Sequence, residues 1–304
     1  MKILDRRSPA FLPLARRTTL RLGGFPLAEI RLEYPADYDL LPPLLEREGF
    51  DVRILGGGSN LLADDGNLPF AVIRPLNGMG QSPEHVGPDL RACGEERVLI
   101  RAGAGLRMPA LLAWCAARGL SGLEGLVGVP GRLGGAIAMN AGAYGCSLAP
   151  LLRELTVFSP AGGLLRIGKD GWTASYRHFA LAGENDWFIA VEAVLSLAVK
   201  NPSEVRAHMA ENLARKTSTQ PVAAHTAGCV FRNPPECSAG KLLDDAGMKG
   251  VGRGGMRFSD MHANFLVNED GGSCAAALDL IAEAREKVAR TSGVNLEMEI
   301  KVWS

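Results

Sequence analysis

GLEGLVGVPGRLGGAIAMNAGAYG, residues 122–145, is the stretch on which the fold turns. Its glycines stand at 122, 125, 128, 131, 134, 135, 142 and 145, at no fixed period, with Asn140 and Tyr144 between them. That is more special backbone than an ordinary turn needs, and its small side chains admit a flat or extended ligand against the main chain. A glycine-rich crossing between strands is the plainer alternative.

A second such stretch lies upstream. ILGGGSNLLADD, residues 54–65, reads as a strand running into Gly56, Gly57 and Gly58, then Ser59 and Asn60. Consecutive glycines let backbone N–H groups converge on a phosphate, and a serine and an asparagine add donors. A dinucleotide GxGxxG fingerprint would need glycine where Leu61 stands and an amphipathic helix directly after it, so that fingerprint is absent. Taken alone, GGGSN reads equally well as a tight turn.

Around these loops the chain alternates strand and helix signals. AEIRLEY (28–34), VRILGG (52–57) and FAVIRPL (70–76) are short apolar runs bounded by glycine and proline, and YDLLPPLLEREG (38–49) between them is a short helix started or broken by its prolines. Residues 97–119 read strand, glycine turn, helix, with Leu106, Leu111, Leu112, Cys115 and Ala116 near helical spacing and Gly119 as the stop. A hairpin over 153–167 turns at PAGG, and 186–199 is a long strand. NPSE then starts a helix with Asn201 as cap and Pro202 first, and Val205, Met209 and Leu213 line its inner face.

GKLLDDAG (240–247) is a short helix closed by Gly247, and HANFLVN (262–268) is a strand. Residues 273–293 form the best helix, with Ser273 as cap, Leu278, Ile281 and Val288 facing inward, Glu283 paired with Lys287, and Gly293 ending it. LEMEIKVW (296–303) is a terminal strand expected to return to an earlier sheet. The division that follows is 1–78, completed by 294–304, then 79–200, then 201–293.

Composition bounds the function. At 304 residues there is length for two or three packed units, and 33 basic against 33 acidic residues leave no footprint for nucleic acid or a polybasic membrane contact. Cysteines at 93, 115, 146, 229, 237 and 274 make no CxxC pair and no zinc spacing, so neither a metal site nor a disulfide framework is expected. The basic N-terminus lacks an apolar signal region, and no run of eighteen apolar residues occurs, so a cytoplasmic location is expected.

The motifs TTLRLGG (18–24), ILGGGSNLL, the 122–145 segment, SYR (175–177), TAGCVFRNP (226–234), AGKLLDDAGMKG (239–250), HANFLVN and LEMEI occur in one order. In that order, over most of the chain, they resemble the bacterial UDP-N-acetylenolpyruvoylglucosamine reductases, in the shorter subtype without the extra substrate-capping loop. The resemblance implies an α+β chain. A two-part FAD-binding fold shared with vanillyl-alcohol-oxidase-type flavoproteins occupies its first two segments, and an α/β substrate-binding domain the third. It implies non-covalent FAD, NADPH as hydride donor, and UDP-N-acetylglucosamine-enolpyruvate as the group reduced, in peptidoglycan precursor synthesis in a bacterial cytoplasm. Oligomeric state is left open, a monomer being favoured.

The same resemblance distributes roles. Gly56, Gly57, Gly58, Ser59, Asn60 and Leu61 would cradle the pyrophosphate. Gly122, Gly128, Pro130, Gly131, Gly134, Gly135, Ala136, Asn140, Gly142, Ala143 and Tyr144 would lie along the flavin and ribityl chain. Hydride goes to C3 of the enolpyruvyl group, and C2, carrying enolate-like charge, then needs a proton and cationic or acidic groups at the carboxylate. Arg177 would bracket that carboxylate, and Glu299 would polarise it, which requires a raised pKa at Glu299. Cys229 stands where serine is commoner as the proton donor to C2. A free thiol titrates near ~8.5, far below a hydroxyl, so it can deliver that proton. Tyr176, Arg215, Lys216, Arg232, Asn233, His262 and Asn264 are substrate-binding candidates.

Three departures from the family's pattern stand out: Phe179 where YRxS has serine, Met261 where lysine is frequent, and Lys301 where arginine is common. Two other classes stay open, another flavoenzyme of the same fold and a non-catalytic binding protein. The second predicts loss of the arginine, the donor or the terminal glutamate, and all three positions hold competent residues.

Overall fold

The computed structural model describes residues 1–77, 81–183 and 187–304. It holds two compact units: Met1–Ile3, Glu29–Gly56 and Ala71–Arg215 in the first, Leu4–Ala28, Gly57–Phe70 and Lys216–Ser304 in the second. Both mix helix and strand, as the α+β expectation requires. The expected boundary at 78/79 lies outside the described residues. The chain crosses between the units at Gly56/Gly57, inside the GGG stretch, and again at Arg215/Lys216, inside a helix.

In the first unit, Glu29–Leu32, Ala71–Pro75 and Val52–Ile54 run parallel in that spatial order. Their near-continuous apolar runs suit a parallel sheet, which is covered on both faces. The helix Leu41–Glu48 carries its prolines in the first turn, where a missing N–H leaves no bond unmade, and ends at Gly49 with φ 63°. A larger antiparallel sheet orders Gly163–Gly168, Leu152–Ser159, Ile189–Val199, Arg97–Gly103 and Glu84–Pro88, with Leu155 opposite Ala193 and Ala193 opposite Ala102. The 153–167 hairpin is thus formed. The long strand begins at Ile189, and Asp186, where it was expected to begin, lies outside the described residues.

The helices Met108–Ala117 and Leu133–Ala138 share this sheet's core, through Leu111, Leu112 and Cys115 from one and Leu133 and Ile137 from the other. Burial pushes the Cys115 thiol up to about 12, which fits a packing residue rather than a reactive one. The helix Pro202–Thr219 starts as expected, with Asn201 Oδ1 accepting the Ser203 N–H at 2.9 Å. Val205 is buried and Met209 packs on the same core, but Leu213 is 40% exposed: the core reaches no further than Met209, so the inner stripe ends there.

In the second unit, His225–Cys229, Phe265–Asn268, Met256–Phe258 and Gly252–Arg253 form an antiparallel sheet. HANFLVN is therefore strand only from Phe265, because 259–265 is a turn closed by Ser259 N–H to Phe265 O at 2.8 Å and Phe265 N–H to His262 O at 3.0 Å. The helix Cys274–Ser292 has its Ser273 cap, its Gly293 stop and its Glu283–Lys287 pair at 2.9 Å. Its buried stripe runs Ala277, Leu280, Ile281, Ala284 and Val288, while Leu278 is 37% exposed; the interior accepts the small Ala277 in its place. LEMEIKVW is regular strand only over Lys301–Trp303, which pairs in parallel with Leu61–Ala63. The preceding residues pair irregularly with 230–232, which interrupts the ladder. Leu20, Leu22 and Leu62 lie in the same core as Leu266, Leu280 and Ile300, so early and late segments of the sequence build it together. No helix among the described residues is long and apolar enough to cross a membrane.

Candidate active site

The glycine segment of the first unit divides by what each glycine is for. A Cβ on Gly125 would stand 2.3 Å from the Ala143 carbonyl oxygen, and one on Gly142 2.6 Å from that of Cys146, so both are set by chain touching chain. Gly128 and Gly131 have φ of 71° and 100°, conformations that side chains rarely adopt. Gly135 has neither reason: a Cβ there would meet nothing within 4 Å. Gly56 is similar, since its nearest neighbours would be the Gly135 backbone at 3.7 and 3.8 Å, ordinary contact. Two facing glycines that nothing internal demands leave open backbone, the feature a phosphate cradle requires.

Positive charge gathers beside this cradle. Arg132 lies within PGRLGG, bridges Arg107 through the backbone and hydrogen-bonds the Gly105 carbonyl through Nη1. Gly105 in turn rests against Leu76 and Asn77, just past Arg74. Burial and then the neighbouring Arg74 and Arg107 hold the Arg132 guanidinium below its ordinary value. Glu29 is buried and pairs with Arg31 at 2.6 Å and with Arg74 at 2.9 Å, while Arg74 Nε is buried without a partner among the described residues. Open backbone beside crowded guanidiniums fits the diphosphate of a dinucleotide cofactor.

Arg177 sits at the tip of a hairpin, Trp172–Ser175 with His178–Leu181, whose turn is Tyr176 and Arg177 alone. Its φ is 53°, a left-handed conformation that costs a non-glycine residue roughly 1–2 kcal/mol. Asn140 Nδ2 donates to the Ser175 carbonyl at 2.8 Å, and Arg177 Nη2 donates to the Gly142 carbonyl at 2.9 Å. The glycine segment therefore holds this hairpin. Asn140 serves as its bracket, its Oδ1 also accepting the Ala149 N–H at 3.0 Å. Phe179, in place of the family's serine, is buried and stacks on Trp172 with centroids 6.0 Å apart.

A cavity of about 570 Å³ in the first unit brings Gly122 and Tyr144, expected at the cofactor, together with Arg215, expected at the substrate. The Arg215 guanidinium lies 5.0 Å over the Tyr144 ring, and Tyr144–Gly145 is a turn with φ of 49° and 75°. Glu124 also lines the cavity, with Oε2 accepting the Gly122 N–H at 2.7 Å. Burial and then Glu124 push the Cys146 thiol up to about 11, and it donates to the Gly122 carbonyl. Arg74, Arg107, Glu124 and His208 were not read from the sequence; an arginine inside the apolar run AVIRP was the one available signal.

The second unit joins residues 57–60 to Cys229 and Glu299. A Cβ on Gly58 would lie 2.3 Å from the Arg17 carbonyl oxygen, so this glycine is set by packing. Asn60 Nδ2 donates to the Glu299 carbonyl and the Lys301 N–H donates to the Asn60 carbonyl, both at 3.1 Å. Leu61 is buried in the strand paired with Lys301. Cys229 ends its strand after a register shift: Thr226 pairs with Val267 but Cys229 with Phe265, one extra residue, with Gly228 at φ 82°. Such a bulge turns the following side chain away from the ladder's alternation. The Glu299 N–H donates to the Val230 carbonyl at 2.8 Å, which sets the glutamate's segment directly beside the one leaving Cys229.

The remaining candidates are placed less uniformly. Arg232 Nε is buried without a partner among the described residues, and Lys216 is buried. Asn233 Oδ1 accepts the Ala239 N–H at 3.0 Å and so caps the helix Ala239–Asp245. Burial holds His262 below its ordinary value; its Nδ1 accepts the Asn264 N–H at 3.2 Å, and Gly240 is bare because a Cβ there would meet the His262 ring at 2.8 Å. Asn264 is 1% exposed with both ends of its carboxamide bonded to the Phe231 backbone, so it is internal scaffolding and not a ligand contact.

Comparison with known proteins bears on the family of the chain. Residues 43–168 match the family model described as FAD binding domain, and residues 220–303 match the C-terminal domain of UDP-N-acetylenolpyruvoylglucosamine reductase. A UDP-N-acetylenolpyruvoylglucosamine reductase from Oleidesulfovibrio alaskensis is 47% identical over 291 residues, 95% of this chain and 96% of its own. One from Nitratidesulfovibrio vulgaris is 47% identical over 305 residues, 100% of this chain and 99% of its own. The solved UDP-N-acetylenolpyruvylglucosamine reductase of Thermus caldophilus is 31% identical with a TM-score of 0.79, covering 96% of this chain and 98% of that one.

Proposed function

Since this chain belongs to the UDP-N-acetylenolpyruvoylglucosamine reductase family, an FAD-dependent oxidoreductase family, we propose that it reduces the enolpyruvyl ether of UDP-N-acetylglucosamine-enolpyruvate to the lactyl ether of UDP-N-acetylmuramate, with Cys229 as proton donor. The observation that carries the reading is the pairing of the Cys229–Val230 segment with Glu299 in the second unit.

The Gly56–Gly135 cradle, with Arg74 and Arg132 as counter-charges, would hold FAD, which when bound would supply the hydride chemistry between NADPH and C3. The chain's own residues manage the charge and the proton. Arg177 places a permanent cation at the substrate carboxylate, where negative charge grows as C3 accepts hydride. Its strained backbone supports that role, because strain at an identified outlier is tolerated where the surroundings impose it, and here a two-residue hairpin turn imposes it while Asn140 and Gly142 hold the hairpin. Glu299, protonated, hydrogen-bonds the same carboxylate and keeps two carboxylates from repelling. Cys229 Sγ–H gives its proton to C2, completing the saturated ether and leaving a thiolate that solvent reprotonates. Arg232, with an open donor, is the strongest of the candidates for the diphosphate. Catalysis in the cytoplasm follows from the same reading. Another flavoenzyme of the same fold would have no need of the reductase family's own C-terminal domain.

The test is direct. Purified protein given FAD should be yellow and should oxidise NADPH only when UDP-N-acetylglucosamine-enolpyruvate is present. A colourless protein, or NADPH oxidation indifferent to that substrate, would defeat the reading. Cys229→Ala should still take hydride from NADPH onto its flavin and fail to pass it on.

A further inference from the structure

Asn264 is a buried polar residue whose carboxamide and main-chain carbonyl both bond the segment that follows Cys229. Its Oδ1 accepts the Phe231 N–H at 2.9 Å and its Nδ2 donates to the Phe231 carbonyl at 2.8 Å. Its main-chain carbonyl accepts the Val230 N–H, also at 2.8 Å. That last N–H belongs to the peptide bond joining Cys229 to Val230. The carboxamide therefore imitates a neighbouring strand at the point where the bulge at Gly228 has thrown the ladder out of register.

The effect passes on to Glu299. Phe231, with no exposed surface, bridges Met298, and Val230, pinned on its N–H side by Asn264, accepts the Glu299 N–H through its carbonyl. From the opposite flank Asn60 holds the Glu299 carbonyl. Asn264 is itself braced: its N–H goes to His262 Nδ1, and Ser259 Oγ accepts the Met261 N–H at 3.1 Å in the same turn. Few buried side chains with so complete a set of partners occur by accident, since each unsatisfied amide end would be costly away from water.

We propose that Asn264 is a positioning residue for the proton-transfer step, fixing through Val230 and Phe231 the relative placement of Cys229 and Glu299. The proposal rests on Cys229 being the proton donor. A donor displaced by a fraction of an ångström to an ångström slows its step by up to about 100-fold, while a hydride transfer that does not involve it is unaffected. Only the second half of the reaction should therefore respond.

The experiment is stopped-flow absorbance on FAD-replete Asn264→Asp and Asn264→Ser, the flavin band serving as proof that each variant is folded. Bleaching by NADPH should stay within about two-fold of wild type, and recovery of the band on adding UDP-N-acetylglucosamine-enolpyruvate should slow by about 10- to 100-fold. The solvent deuterium isotope effect on recovery should also rise, because proton delivery becomes the slow event; a loss of folded enzyme alone would change amplitudes and leave that isotope effect as it was. Equal slowing of both phases, or wild-type recovery in FAD-replete Asn264→Ser, overturns the proposal. Cys229→Ala separates the two levels. If it is inert in recovery while Asn264→Ser is unimpaired, only the role of Asn264 falls; if Cys229→Ala recovers at the wild-type rate, the donor assignment falls and the role of Asn264 with it.

Discussion

At the scale of single residues, Cys229 and Arg177 show how little of a chemical role lies in the residue type. Cys229 is one of six cysteines, and what singles it out is a bulge and a neighbouring glutamate segment rather than the thiol itself. On the proposed mechanism a thiolate is left after each turnover, open to peroxide, which converts it to a sulfenic acid that cannot donate the proton. Cys229→Ser is expected to keep turnover while losing peroxide sensitivity, as read from residual NADPH oxidation after a peroxide pulse; equal inactivation of both proteins would place the sensitive thiol elsewhere. Arg177 offers the complementary separation of stability from function. Arg177→Gly relieves a φ of 53°, so thermal unfolding should show stability within about 1 kcal/mol of wild type or slightly above it, while kcat falls about 100- to 1000-fold. Both residues were legible as candidates from TAGCVFRNP and SYR. The strain at Arg177 was not, because it belongs to a two-residue hairpin turn whose flanking strands, Trp172–Ser175 and His178–Leu181, went unread.

At the scale of elements, neighbouring glycines in one motif serve opposite ends. Gly58 packs under the Arg17 carbonyl with φ 64°, Gly56 would make only ordinary contact with the Gly135 backbone, and Gly228 bends a strand with nothing within 4 Å of its would-be Cβ. Gly58→Ala should cost at least about 2 kcal/mol in chemical unfolding, combining backbone strain with a clash against main chain that cannot move aside. Gly228→Ala faces strain alone and should cost about 1 kcal/mol, yet it should slow the substrate half-reaction because the bulge that aims Cys229 is altered. Comparable stability losses in the two variants would contradict this division. Periodicity was a sound guide to the regular elements, including the helix Cys274–Ser292 with its cap, stop and ion pair. It misjudged Leu213 and Leu278, both exposed, since spacing identifies an apolar stripe but not how far the core beneath it extends.

At the scale of the whole molecule, the second unit is assembled from three separated stretches of chain. Thr19 Oγ1 donates to the Thr226 carbonyl at 2.7 Å, and Asn268 Nδ2 donates to the Leu20 carbonyl at 3.0 Å, so TTLRLGG is bonded into the C-terminal sheet. The fragment 201–293, proposed from sequence as a substrate-binding domain, lacks Leu20, Leu22, Leu62, Leu296 and Ile300, all buried in its core. Expressed alone it should give a poorly dispersed amide NMR spectrum and no cooperative melt; a dispersed spectrum would show that it folds unaided. Sequence by itself pointed to the family and its FAD-dependent chemistry through the order of its motifs, and to the longer helices and several of the strands through caps, glycine stops and hydrophobic periods, which are local signals. Only the tertiary structure decided that the Asn264 carboxamide bonds the Phe231 backbone, that the backbones of Gly56 and Gly135 face each other, and that Arg74, Arg107 and Arg132 crowd together. Each of those facts depends on residues far apart in the chain, and a hydrogen bond or a Coulomb repulsion is set by distance in space, which spacing along the sequence does not record.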